Sequence, residues 1–134
     1  MEFLRTSAAF PFSAAVIHSG RTLETVLTGI PPGYDAPVAG GVTAELGEIF
    51  RQLDHVLAMA GVTKFAVCSV RLYLAALLRD IAEVNSVYRE YFRAHPPNRR
   101  AYGVTLQSGM LIEAAFVAEL PLVTVPISKA DSAE

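Results

Sequence analysis

The stretch that decides the fold is KFAVCSVRLYL, residues 64–74, in the middle of the chain. Side chains of a strand point alternately to its two faces, and here the two sets differ in character. One predicted face is apolar throughout and comprises Ala66, Cys68, Val70, Leu72 and Leu74. The other comprises Phe65, Val67, Ser69, Arg71 and Tyr73. The sequence therefore predicts a central strand with one face in the core and an arginine and a tyrosine on the other face.

An amphipathic helix is predicted on each side of this strand. Residues 43–61, TAELGEIFRQLDHVLAMAG, repeat apolar side chains at helical spacing, with Thr43 as the N-cap and Gly61 as the stop. Glu45 suits the first turn, where the helix dipole favours acidic side chains. Residues 79–95, RDIAEVNSVYREYFRAH, form a second apolar stripe, and the proline at position 96 ends the helix.

Two hairpins are predicted further out along the chain, each around a Ser-Gly turn. The first joins residues 12–20 to 22–30, and the second joins residues 100–107 to 110–120. Residues 121–128, PLVTVPIS, are expected to add a short edge strand. The order is β-β-α-β-α-β-β, an α+β fold in which two helices cover one face of a sheet of about five strands.

Length and composition indicate one domain and an oligomer. The 134 residues make a single domain, 1–134, with a core from about 11 to 120 and a flexible tail at about 128–134. Hydrophobic residues make up 52% of the chain and charged residues 18%, which is more apolar surface than one small core buries. A second copy of the chain is therefore expected to cover the face of the sheet that the helices leave open.

Several classes of partner are not expected. The longest apolar stretch, residues 65–78, is interrupted by Arg71 and is too short to span a membrane. A net charge of −2 without a basic run gives no basis for nucleic-acid binding. Scattered histidines and one cysteine do not form a metal site. The single cysteine and the lack of a signal peptide favour the cytoplasm.

Two charged residues at the second hairpin mark a candidate site. Arg99 stands where the second helix gives way to a strand, and Glu113 is the only charge in MLIEAAFVA. Counting back from the turn places both at nearby rungs, where their side chains would share one cavity wall. They could form a structural salt bridge. They could instead bind a small carboxylate, with the guanidinium holding the ligand and the carboxyl group moving protons or holding a water. The residues alone leave both interpretations open.

Five segments, in order, resemble the Rid (formerly YjgF) family of imine deaminases. The segment VNSVYREYFRAHPPNRRAYGV, followed by LIEAAFVA, is similar to the family signature. PFSAAV, LTGIP and the central strand are similar to further family elements, so that the likeness runs from about Pro11 to Leu120. The resemblance implies a trimer with the architecture of chorismate mutase and clefts between subunits. It also implies hydrolysis of 2-imino acids to 2-oxo acids and ammonia without metal or organic cofactor.

The resemblance also implies roles for individual residues. Arg99 would bind the substrate carboxylate, while alternation sends Arg100 to the opposite face. Glu113 would position the attacking water. Asn85 matches an asparagine of the family's second helix, and Gly29 matches a glycine whose backbone lines the pocket.

The chain departs from the family pattern at the pocket. Phe12 stands where the family usually has tyrosine, Ala101 stands where many members have cysteine, and the segment from Thr28 lacks the usual glutamine. Tyr73 is expected to line the cleft. For Arg71, a pocket or interface role and an ion pair at the trimer axis or sheet edge both remain open. These differences predict a deaminase for a bulkier or more apolar substrate. The alternative is a non-catalytic trimeric sensor of small carboxylates.

Overall fold

The computed structural model describes residues 1–6 and 12–122 of the chain. These residues form one mixed sheet, two α-helices and a short 3-10 helix at Lys64–Ala66. The elements are β1 Glu2–Thr6, β2 Ser13–His18, β3 Thr22–Thr28, α1 Gly41–Met59, β4 Val67–Leu74, α2 Leu77–Phe92, β5 Asn98–Gly103 and β6 Ile112–Glu119. The strands lie in the order β1-β2-β3-β6-β4-β5. The predicted α+β class is confirmed.

The central strand β4 lies between β6 and β5, and its start departs from simple alternation. Val70, Leu72 and Leu74 are buried as predicted. The pairing with β6 shifts by one residue between Val67 and Ser69, which is a β-bulge. The extra residue is Cys68, which is exposed although it was predicted in the core. The prediction was wrong because a bulge interrupts the period of two on which it depended.

Both helices pack on one face of the sheet. The buried side chains of β6 are every second residue, Ile112, Ala114, Phe116 and Ala118. Between the helices, the ring of Phe50 on α1 stacks on that of Tyr91 on α2 with 3.8 Å between centroids, and it meets Phe92 edge to face at 5.8 Å. This aromatic contact holds the two helices together above the sheet.

The helix ends follow some of the sequence signals and not others. Gly61 lies just past α1 at a φ of 75°, and its N–H donates to the Ala58 carbonyl, so the predicted stop is confirmed. Thr43 is not the N-cap, because α1 already begins at Gly41 and the Thr43 hydroxyl donates to Glu83 at 3.0 Å. Helix α2 ends at Phe92, ahead of the predicted stop at Pro96.

The second predicted hairpin does not exist. Strand β5 pairs with β4 in parallel, and β6 pairs with β3 on one side and β4 on the other. Strands joined by a helix form a crossover unit whose strands run parallel, and β4, α2 and β5 make such a unit. Once β5 occupies one edge of β4, β6 takes the other edge and joins the two halves of the sheet.

The other end of the sheet is larger than predicted. The first hairpin is confirmed as β2 and β3, with Ser19 and Gly20 of its turn at φ values of 55° and 72°. Strand β1 was not predicted, and it pairs antiparallel with β2 to give six strands. Of the expected edge strand at residues 121–128, the first two residues are not in a strand, and residues 123–134, with the predicted tail, lie outside the described part.

Within residues 1–6 and 12–122, no element covers the face of the sheet away from the helices. We call it the open face. Phe3, Val26 and Tyr102 lie on it with 53%, 59% and 42% of their surface exposed. Exposed apolar side chains on one continuous surface are typical of a protein interface. Within residues 1–6 and 12–122, no helix is both long enough and apolar enough to cross a membrane.

Candidate functional site

Glu113 belongs to a row of side chains that crosses the open face. Thr28 on β3 is its register partner on one side, and Tyr73 on β4 is its partner on the other side. Tyr102 on β5 is in turn the partner of Tyr73, and the two rings stack with 5.6 Å between centroids. We call these four residues the Glu113 row. It brings together three residues expected from the sequence and adds Tyr102, because β5 pairs with β4 and not, as predicted, with β6.

Gly29 follows this row at the end of β3, where α1 approaches the backbone closely. A Cβ at Gly29 would come within 2.7 Å of the Glu45 side chain, so only glycine fits. Gln52 on α1 donates to the carbonyls of Thr28 and Ile30 at 3.2 and 3.0 Å. The backbone beside Glu113 is therefore held rigidly by the helix. Phe12 is exposed and directly precedes β2.

Arg71 lies on the same face as the Glu113 row, two residues before Tyr73. Its Nη1 donates to the Ser69 hydroxyl at 3.1 Å and to the Val70 carbonyl at 3.2 Å. In the part of the chain that the structure describes, no acidic side chain pairs with it. Its register partner on β5 is Arg100, so two like charges lie side by side on the open face.

Arg99 faces the other side of the sheet, towards α2. Its register partner is the buried Val70, and its guanidinium carbon lies 4.8 Å from the centre of the Tyr88 ring. Asn85 precedes Tyr88 by three residues, which places both on one side of the helix. Ala101 is half-buried on the same side of β5 as Arg99. We call these four residues, Asn85, Tyr88, Arg99 and Ala101, the Arg99 cluster.

Two polar atoms of the Arg99 cluster, the Tyr88 hydroxyl and Asn85 Oδ1, are buried without a hydrogen-bond partner among residues 1–6 and 12–122. Burial raises the pKa of Tyr88 to about 12, against an opposing effect of the Arg99 charge. The phenol is therefore a protonated donor at neutral pH. Tyr88 was predicted only as a core residue, because its spacing on the apolar stripe gives no sign of an unused hydroxyl.

A single chain does not bring Arg99 and Glu113 together. Arg99 is opposite Val70 and Glu113 is opposite Tyr73, on different faces of the sheet. Along the strands they are about 10 Å apart, and two strand spacings of about 4.8 Å separate them sideways. The prediction that Arg99 and Glu113 line one cavity wall within a subunit is wrong, because it depended on the second hairpin. A salt bridge between the two residues of one chain is excluded for the same reason.

Glu45 is a buried carboxyl group beside Gly29, although it was expected at the start of α1 as a dipole partner. It is 3% exposed, and its Oε1 accepts a hydrogen bond from the Leu111 N–H at 2.9 Å. Burial raises its pKa, the hydrogen bonds from the Leu111 and Ile112 backbones lower it, and the nearby Asp80 charge raises it further. Arg79 is paired with Asp80 at 2.8 Å.

Replacing Glu45 with glutamine is expected to stabilise the protein near pH 7. The raised pKa means that the folded state binds the Glu45 proton more tightly than the unfolded state, so this group favours folding at low pH. That contribution is lost as the pH rises through the pKa of Glu45 in the folded state. Glutamine removes the cost of burying the charged carboxylate and still provides an oxygen that accepts the hydrogen bond from the Leu111 N–H. The melting temperature of Glu45→Gln should exceed the wild-type value by a few degrees near pH 7, and the two should converge below about pH 4.5. A glutamine variant that is less stable near pH 7 would contradict this account.

Comparisons with known proteins identify the family. The sequence model of the family described as Endoribonuclease L-PSP matches residues 4–120. The human 2-iminobutanoate/2-iminopropanoate deaminase is 31% identical over 119 residues, which cover 87% of this chain and 86% of the relative. The Rid-family protein YyfA of Yersinia pestis superposes with a TM-score of 0.77 at 26% identity over 85% of this chain and 91% of its own. RidA of a Psychrobacter species shares the fold, with a TM-score of 0.80 at 22% identity over 90% and 100% of the two chains.

The fold and these matches define a small α+β protein of the endoribonuclease L-PSP type. The chain belongs to the Rid (YjgF) family. The family resemblance drawn from the sequence is therefore confirmed.

Proposed function

We propose that this protein hydrolyses small 2-imino acids to 2-oxo acids and ammonia, in sites formed between copies of the chain. The observation that carries this proposal is the Arg99 cluster, where a guanidinium lies over the ring of a buried tyrosine whose hydroxyl has no hydrogen-bond partner among the described residues. Such a group is suited to a small carboxylate ligand. The name of the human relative, an iminobutanoate and iminopropanoate deaminase, supports the same chemistry.

In this proposal, Arg99 binds the substrate and Glu113 positions the attacking water. Arg99 holds the substrate carboxylate through charge-assisted hydrogen bonds, each about 1.5–3 kcal/mol, and withdraws electron density from the C=N bond. Glu113 accepts a hydrogen bond from a water and directs its oxygen to the imine carbon. A C–O bond forms, the C–N bond breaks, protons move from the water to the nitrogen, and ammonia leaves. Positioning and charge placement supply the rate increase.

The sites require a second copy because of where the two residues lie. Strand β5 is an edge of the sheet, so Arg99 is at a border that a second chain can approach. Glu113 is on the open face, whose apolar side chains need a cover. A closed ring of three chains, each placing its β5 edge against the open face of the next, brings Arg99 of one copy to the Glu113 row of another. This is the homotrimer with clefts between subunits that the family resemblance implies.

The substrate in this proposal is bulkier or more apolar than 2-iminopropanoate. Phe12 and Ala101 replace a hydroxyl and a thiol that the family pattern places near the substrate. Thr28, Gly29 and Tyr73 add little charge to the Glu113 side of the cleft. Arg71 and Arg100 carry positive charge on that face, and the hydrogen bonds of Arg71 to its own strand hold it beside the row.

The proposal is tested by making imino acids in place and following their lifetime. An amino-acid oxidase generates the imine from alanine, 2-aminobutyrate, leucine or phenylalanine, and semicarbazide traps what remains. A deaminase lowers semicarbazone formation, and this one should do so most strongly with the larger amino acids. Activity restricted to the smallest imines would refute the bulkier substrate, and no effect with any imine would refute the deaminase.

The alternative function, a non-catalytic sensor of small carboxylates, gives a different result in the same series. A sensor would be stabilised against heat by a 2-oxo acid without changing the lifetime of any imine.

The cytoplasmic location stays a prediction that rests on cysteine usage.

A further inference from the structure

The phenol hydroxyl of Tyr88 is an unexpected polar group in the core. Tyr88 is 6% exposed, and its hydroxyl has no hydrogen-bond partner in the part of the chain that the structure describes. Buried hydroxyl groups are almost always paired, and an unpaired one costs about 1–3 kcal/mol. Phenylalanine would fill the same space among the aromatic rings of Phe50 and Phe92 without that cost. A tyrosine at this position therefore needs a reason that the core does not provide.

Its neighbours indicate what that reason is. The guanidinium of Arg99 lies over the Tyr88 ring, and Arg99 is the more exposed of the two side chains. Asn85, three residues before Tyr88 on the same side of α2, has a buried Oδ1 that is likewise without a partner among the described residues. This side of α2 therefore carries a hydroxyl that can donate and an amide oxygen that can accept, and Arg99 adds a positive charge at the Tyr88 ring. A 2-imino acid offers matching groups, a carboxylate that accepts and an imine N–H that donates.

We propose that Tyr88 is a substrate-binding residue, whose hydroxyl donates a hydrogen bond to the carboxylate that Arg99 anchors. This inference rests on the proposed carboxylate site at Arg99. When the long Arg99 side chain turns from the ring towards an incoming carboxylate, it uncovers the phenol. The hydroxyl then gains a hydrogen-bond partner. The cost of burying the Tyr88 hydroxyl without a hydrogen bond is therefore offset only when a ligand is bound.

The test is Tyr88→Phe, measured by ligand binding, by turnover and by heat. Titration with 2-oxobutanoate, a product-like 2-oxo acid, should show binding about tenfold weaker than wild type, the loss expected for one hydrogen bond to a charged group. The KM for the imine should rise by a similar factor while kcat changes less than about twofold. The melting temperature of the free variant should equal or exceed the wild-type value, because the unpaired hydroxyl is gone.

Tyr91→Phe is the matched control on the same helix. The Tyr91 ring also packs against Phe50, but its hydroxyl donates to Asp54. Removing that hydroxyl should lower the melting temperature and leave 2-oxobutanoate binding and KM unchanged. We therefore expect opposite results for the two variants. Tyr88→Phe should weaken ligand binding without lowering the melting temperature, and Tyr91→Phe should lower the melting temperature without weakening ligand binding.

The outcomes separate this inference from the deaminase proposal. If wild type binds 2-oxobutanoate and Tyr88→Phe binds it equally well, the role of Tyr88 is wrong and the deaminase proposal is untouched. If wild type binds the oxo acid without turnover and Tyr88→Phe weakens binding, the inference holds and the deaminase proposal fails. If wild type neither binds 2-oxobutanoate nor hydrolyses any of the imines, the proposed role of Tyr88 and the deaminase proposal both fail. A loss of binding together with a drop in melting temperature would assign Tyr88 a structural role and overturn the inference.

Discussion

Replacing Arg99 with alanine is expected to lower kcat/KM for imine hydrolysis by at least about 100-fold. Arg99 would supply two charge-assisted hydrogen bonds to the substrate carboxylate, each about 1.5–3 kcal/mol, and 1.4 kcal/mol corresponds to a factor of ten. The measurement is the semicarbazide competition assay with the imine that wild type hydrolyses fastest.

The stability of this variant is expected to change far less than its activity. Arg99→Ala loses the cation–π contact with Tyr88, which is about 0.5–1 kcal/mol at a partly exposed site. Arg89→Ala is the matched control, because it removes the same charge from the exposed side of α2. It should keep wild-type kinetics. An Arg99→Ala variant that is folded and fully active would place the carboxylate site elsewhere.

Mixing two inactive variants is expected to restore activity. Arg99→Ala and Glu113→Gln should each be about 100-fold or more below wild type, because one lacks the anchor and the other lacks the group that orients water. In random trimers made by refolding an equal mixture, an interface has an intact Arg99 from one chain and an intact Glu113 from the next in about a quarter of cases. Activity should therefore recover to about a quarter of the wild-type value.

This result would be specific to a site formed between chains. If both residues acted within one chain, the same mixture would stay inactive. The control is a mixture of wild type with the double variant, which gives about a quarter of intact sites when they lie between chains and about half when they lie within one. Light scattering of every sample must show trimers, and a monomeric wild type would contradict the arrangement outright.

Local patterns in the sequence were sufficient for much of the fold. The stripe on α1, the stop at Gly61 and the first hairpin follow from periodicity and turn chemistry, and the structure agrees. The assignment of Cys68 failed because a one-residue bulge depends on pairing with β6, which no local pattern reports. Strand β1 was missed because only its pairing with β2 makes five residues at the start of the chain a strand.

The candidate site shows where sequence reasoning stops. The order strand, helix, strand from 67 to 103 is the signal of a parallel crossover, and it predicts that β5 returns to β4. The Ser-Gly turn instead favours a hairpin, and that prediction pairs β5 with β6 and sets Arg99 beside Glu113. The buried Glu45 and the unpaired Tyr88 hydroxyl depend on the packing of α1 and α2 and have no local sequence pattern.

The parallel crossover has a consequence for how this site can change. The proposed carboxylate anchor is built from one contiguous segment, α2 and the strand after it, whereas the proposed water-directing residue belongs to β6, the strand that joins the two halves of the sheet. In the proposed site, substitutions along β3 and β6 would change which imine is accepted without altering Arg99, which binds the carboxylate. Under this proposal, substrate preference and carboxylate binding can change independently of each other.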